Sequence, residues 1–187
     1  MKAITNIIGF DDAPFERASR EDVRVVGVVC ARTRLDGVVC TWVARNGDDA
    51  TVRLAEAIER SQFVGYARAV LLQGIALAGF NVVDIRALSE RLGLPVVVVA
   101  RRMPNFASIR AALDAIGIDP EDKWRCMQRA GTPAPLRGLW VQHAGVTRDA
   151  AERMLEATTL HGKIPEALRL AHLIAGGITR GTSRGRA

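Results

Sequence analysis

Residues 4–12 read ITNIIGFDD: an apolar run over positions 4–10 stops at two adjacent carboxylates, Asp11 and Asp12. The run has the length and composition of a buried strand, so the pair stands at a strand end. A second pair, Asp48 and Asp49, closes the apolar run at 37–44 and opens a helical pattern. Two carboxylates about 5 Å apart repel by about 3 kcal/mol at an effective dielectric near 20. Folding that gathers such groups needs a cation, a shared proton or basic neighbours. Hard divalent cations prefer oxygen ligands, so magnesium or manganese is the expected occupant, with Asp11, Asp12, Asp48 and Asp49 as candidate metal ligands.

Working outward, residues 4–10, 23–31 and 37–44 read as strands separated by the short polar turns 16–22 and 32–36, which predicts an antiparallel meander. From Asp49 the period changes, with Ala50, Leu54, Ala57 and Ile58 on one helical face. Residues 68–73 form a further strand ending at Gly74, Asn81 is placed to cap a helix through Leu92, and Gly93 with Pro95 ends that helix before a strand at 96–100. This is the pattern of a βαβ unit. Helices are expected at 106–116 and 120–129, a short strand at 139–142, a helix from Thr147 to about position 160, and another from Pro165 to about 175. Residues 1–178 read as one domain, and 179–187, with Arg180, Arg184 and Arg186, as a mobile basic tail.

The chain has 187 residues, nearly half of them apolar (49%), with only 5% aromatic. That excludes disorder and favours aliphatic strands covered by helices. No apolar stretch is long enough to span a bilayer and no signal-peptide core follows Lys2, so the expectation is a cytoplasmic protein without membrane contact. Cys30, Cys40 and Cys126 lie in or beside apolar segments without CxxC spacing and read as buried structural thiols. A net charge of +6 favours polyanionic partners.

Three antiparallel strands, a helix, then alternating strand and helix is the element order of an α/β fold of the ribonuclease H type, a mixed sheet flanked by helices. There the first strand lies between the second and fourth. The ends of strands one and four and the start of the first helix then converge, which in this chain selects Asp11, Gln73 and Asp49.

The segments IIGFDDAPF, GDDAT, QGIALAGFNVVDI, LGLPVVVVARR and IPEALRLAH together resemble a family of uncharacterised, mostly archaeal proteins defined as a domain of unknown function and related to endonuclease V. The resemblance covers nearly the whole chain, and GFNVVDI and IPEALRLAH are its most specific strings. It implies an endonuclease V-like, ribonuclease H-like fold and metal-dependent nicking of nucleic acid. Carried over by motif, Asp11 matches the first-strand aspartate. Asp48 or Asp49 lies where the enzyme has glutamate, and Gln73 before Gly74 where it has aspartate before glycine. An amide in place of a carboxylate weakens attraction for a cation. Arg101 stands for a lysine, and Val146 occupies the place after a glycine where the enzyme has histidine, leaving His143 as a neighbouring alternative. The strand-opening tyrosine wedge has no match, so deaminated-purine recognition is not carried over.

Each candidate also has a structural explanation. Asp12 can start a turn at Ala13 and Pro14, and Asp48 or Asp49 can cap a helix. Asn81 and Asp84 have capping-box spacing, and Gly74 can serve a turn. His161 and His172 form no metal motif, Glu166 and Arg169 are spaced to pair along a helix, and Trp42, Trp124 and Trp140 suit core or interface anchors. The leading expectation is a divalent-metal phosphodiester hydrolase acting on nucleic acid, with Asp11, Asp49, Gln73 and His143 as catalytic candidates. Arg101, Arg102 and Gly74 are its expected substrate contacts. The alternative is a nucleic-acid-binding protein on the same fold without catalysis; a protein-interaction or small-phosphate-binding domain ranks third.

Overall fold

A computed structural model describes residues 4–16, 19 and 21–183. Its opening stretch forms β1 (Asn6–Asp12), whose alternate side chains enter opposite cores. The chain returns in β2 (Val23–Ala31) and β3 (Arg34–Val43), both antiparallel as expected. After helix α1 (Ala50–Glu59), β4 (Ala69–Gln73) runs parallel to β1 on its other side. A minimal hairpin of β5 (Ala76–Leu77) and β6 (Asn81–Val82) precedes helix α2 (Ile85–Leu92), and β7 (Val96–Ala100) then runs parallel to β4. Helices α3 (Phe106–Ile116) and α4 (Pro120–Arg129) lead to β8 (Ala134–Leu136) and β9 (Leu139–Ala144), followed by α5 (Arg148–Thr158) and α6 (Glu166–Arg180). The seven-stranded sheet has the order β3-β2-β1-β4-β7-β9-β8, with β1 between the second and fourth strands.

The two sheet faces carry separate cores. Ile8, Phe10, Val70, Leu72, Val96 and Val98 pack with α1 and α2. Ile7, Ala69, Leu71, Val97 and Val99 pack with α5 and α6. A satellite cluster of Val82, Leu113, Cys126 and Met127 holds α3 and α4 over the hairpin. Alpha-helix α6 comes close to β1 because the contact is built from small residues: a Cβ added at Gly9 would lie 2.9 Å from Ala167.

Several sequence expectations are corrected. Asn81 does not cap α2; it lies in β6, fully buried, and Asp84 caps instead, its side chain accepting from the Arg86 and Ala87 N–H groups. The sequence carries no strand signal for β8 or for the hairpin, and β6 falls where the helix from Asn81 is expected, because elements of two or three residues show no alternation. Alpha-helix α6 continues through Gly176 and Gly177 to Arg180 and ends at Gly181 with φ near +74°, so Thr179 and Arg180 belong to a helix. Residues 184–187 of the expected tail lie outside the described residues. Cys40 and Trp42, on the edge strand β3, are both exposed. No helix among the described residues is long and apolar enough to cross a membrane.

Candidate functional site

Alternation along β1 sends Asp11 and Asp12 to opposite faces of the sheet. Asp11 follows Ile7 and Gly9 toward α6, whereas Asp12 follows Ile8 and Phe10 toward the α1 side. Extending the parallel register one residue beyond the Phe10–Leu72 pair sets Asp11 beside Gln73, on the same face. Alpha-helix α6 travels in the direction of β1: five helical residues from Ala167 to His172 rise about 7.5 Å, close to the two-residue strand advance from Gly9 to Asp11. His172 Nδ1 accordingly lies 2.8 Å from Asp11 Oδ2.

Asp11 is only 5% exposed. Burial pushes its carboxyl up to about 6; the charge of Asp12 adds to the effect, while the His172 ring and the Asp12 backbone N–H pull the other way. Burial also raises Asp12, against the Ala78 N–H, which donates to its Oδ2 at 2.7 Å. Gln73 Oε1 is buried and has no hydrogen-bond partner among the described residues. Asp11, Asp12, Pro14, Gln73, His172 and Arg180 line one cleft of about 390 Å³ at the end of β1 and β4.

The remaining candidates lie elsewhere. Asp49 is absent from the lining of this cleft. Its Oδ1 accepts from the Ala44 N–H at 3.0 Å and from Asn81 Nδ2 at 2.7 Å, and its Oδ2 from Arg53 at 3.2 Å. Burial opposes ionisation of Asp49, but these bonds together hold its carboxyl below the usual range. Asp49 occupies the N-cap position of α1 without a side-chain cap bond; the Ala50 N–H donates to Asn81 Oδ1 instead. Asp48 is exposed. Among the described residues no group of three or more acidic, histidine or cysteine side chains is arranged to hold a metal.

His143 pairs with Val97 in β9, whereas Gln73 is level with Val99 and Val141. The histidine is therefore two residues from the level of the cleft, and it lines a separate one with Arg86 and Glu90. Arg101 and Arg102 are exposed just beyond β7, at the same end of the sheet as Gln73. Gly74, with φ near +88°, makes the turn out of β4, and its N–H donates to Val99 O.

The histidine that does reach the cleft is His172, for which the sequence alone favours a structural role. Its local signal was weak but present. An ionisable residue follows Ala167 and Ala171, two small buried residues one helical turn apart, in the distinctive string IPEALRLAH. Glu166 and Arg169 pair as their spacing suggested, at 2.9 Å.

The profile of the endonuclease dU family matches residues 3–179. A UPF0215 protein of Deinococcus radiodurans is 50% identical, over 97% of this chain and 93% of its own. A protein of unknown function from Archaeoglobus fulgidus has a similar structure, with a TM-score of 0.87 and 32% identity over 93% of this chain and 98% of that one. Endonuclease V from Bacillus subtilis matches with a TM-score of 0.61 and 12% identity, over 95% and 81% of the two chains. Ciona intestinalis endonuclease V, in complex with a 24mer DNA containing an inosine followed by a ribo-adenosine, matches with a TM-score of 0.55 and 13% identity over 89% and 82%. The last two likenesses concern the fold, the mixed α/β architecture of endonuclease V. By profile and by close relatives, the chain belongs to the endonuclease dU family.

Proposed function

We propose that this protein is a divalent-metal-dependent phosphodiester hydrolase acting on nucleic acid, with its centre at the Asp11 cleft. One observation carries the reading: Asp11, whose charge burial disfavours, stands level with a buried Gln73 amide oxygen that has no partner among the described residues, in a cleft also lined by Asp12, His172 and Arg180. Such an oxygen-rich, charge-poor donor set fits a hard cation, and magnesium or manganese matches its chemistry. Asp11 and Gln73, level with each other on one face of the sheet, would hold the ion, with Asp12 on the cleft wall beside them. A bound divalent cation supplies Lewis-acid polarisation of a phosphate and a more acidic water.

The chain's own groups do the rest. His172 fixes one oxygen of Asp11 through Nδ1, and that leaves Nε2 to carry a proton at the cleft. Arg180 on the cleft wall offers a guanidinium to a phosphate, and Arg101 with Arg102 extend positive charge along the same end of the sheet. Endonuclease V of Ciona, solved with DNA, supports nucleic acid as the substrate class through its common fold.

A second reading, nucleic-acid binding without catalysis, is favoured by one observation: Asp49 is consumed by internal hydrogen bonds and Gln73 is neutral. Cleavage of labelled single-stranded, structured and deaminated nucleic acids in magnesium or manganese separates the two. The hydrolase reading expects metal-dependent products that Asp11→Asn reduces by at least about a thousandfold, a typical cost of losing an essential catalytic group. Tight binding without products in either metal selects the second reading.

A further inference from the structure

A second cleft, of about 490 Å³, adjoins the Asp11 cleft, and Ala13, Pro14 and Phe15 line both. We propose that it seats an unpaired nucleobase of the nucleic-acid strand, with Trp42 and Phe15 as stacking faces. This rests on the nucleic-acid reading given above.

Aromatic residues make up only 5% of the chain, yet two with open ring surface meet here: Trp42 is 50% exposed and Phe15 36%. Each carries a guanidinium against its ring. Arg24 stands 4.7 Å from the Trp42 centroid and Arg45 stands 5.3 Å from that of Phe15. Exposed rings flanked by cations form sequence-tolerant platforms for bases, each stack contributing about 1–3 kcal/mol. The exposed Ile178, at the far end of α6, adds an apolar wall.

Charge decides which part of a nucleotide enters. Among the described lining residues Glu16, Glu21 and Asp22 outnumber the one guanidinium, Arg24, which lies against Trp42, so the cleft disfavours phosphate and offers acceptors to the N–H groups of a base edge. Arg180 instead lies on the wall of the Asp11 cleft, where the phosphate belongs. The two clefts thus divide a nucleotide between them, backbone at Asp11 and base at Trp42. The shared wall at Ala13 to Phe15 makes the path continuous. A paired base has no free face to stack, so the cleft selects single-stranded or flipped-out positions.

The test measures fluorescence anisotropy of a labelled single-stranded oligodeoxynucleotide and of an equally long strand of abasic residues. The full-length protein is used, with calcium in place of magnesium. Trp42→Ala is expected to weaken binding of the base-bearing strand at least about fivefold, the lower end of one lost stack. Trp42→Phe should recover most of that loss, and neither change should alter binding of the abasic strand. Unchanged affinity in Trp42→Ala overturns the proposal, as does an equal loss on both strands. Conversion of a wild-type dimer to monomer by Trp42→Ala also overturns it, since the face would then belong to a second copy. Binding of neither strand by the wild type defeats the nucleic-acid reading as well, whereas Trp42→Ala neutrality with Asp11-dependent cleavage intact defeats this inference alone.

Discussion

Asp11 sits where burial and a neighbouring charge both favour the protonated acid. Its folded-state value of about 6 exceeds the ordinary 3.8, so the folded protein binds a proton more tightly than the unfolded chain. The stability this confers is complete below pH 4 and is lost as pH rises through 6. Without metal, then, the ionised carboxylate destabilises the fold at neutral pH. Asp11→Asn removes that charge while retaining an amide oxygen near His172. In chelator, the substitution is expected to raise stability by about 2 kcal/mol at pH 7.5 and to change it little at pH 4, read by urea denaturation. Equal effects at the two pH values contradict the assignment. A residue needed for activity and costly to stability is what a binding site built from buried charge requires.

The meeting of Asp11 with His172 depends on how closely α6 lies against β1. Gly9 permits that approach, since a Cβ there would strike the Ala167 backbone and side chain. Gly9→Ala should therefore push the helix outward and cost about 1–3 kcal/mol, the usual penalty of overpacking. Activity should fall further than stability explains, because His172 moves with the helix; kinetics at a temperature where the variant is fully folded make the comparison. Unaltered activity and stability would mean that α6 can shift freely. The elements themselves were largely legible in the sequence. Long strands such as Val23–Ala31 declare themselves by composition, and α3 and α4 lie at the expected positions 106–116 and 120–129. Asn81 misled because an amide followed three positions later by an acid has the appearance of a cap. Its true partners, Ala44, Asp49 and Ala50, lie more than thirty residues away.

At the scale of the whole molecule, the sheet order brings the ends of β1 and β4 together and α6 folds back over them from the far end of the chain. Asp11 was legible as a strand-end carboxylate, and the element order, which places the first strand between the second and fourth, made Gln73 its neighbour. His172 was not, since its contact spans 161 residues and no local periodicity encodes it. Asp49 also depends on a long-range contact. Its place at the mouth of α1 was read correctly, but the direction of its carboxylate is set by Asn81 from the hairpin. The basic surplus follows the same geometry: many arginines pair with acids on helix surfaces, while Arg101, Arg102 and Arg180 enter no ion pair among the described residues and gather toward the cleft end of the sheet.

The most direct measurement is a crystal structure of the protein soaked in manganese, with anomalous differences locating the ion. A peak within coordination distance of Asp11 and Gln73, lost in Asp11→Asn, is the predicted result. An ion bound at Asp48 and Asp49 instead, or no ion at saturating manganese, would contradict it.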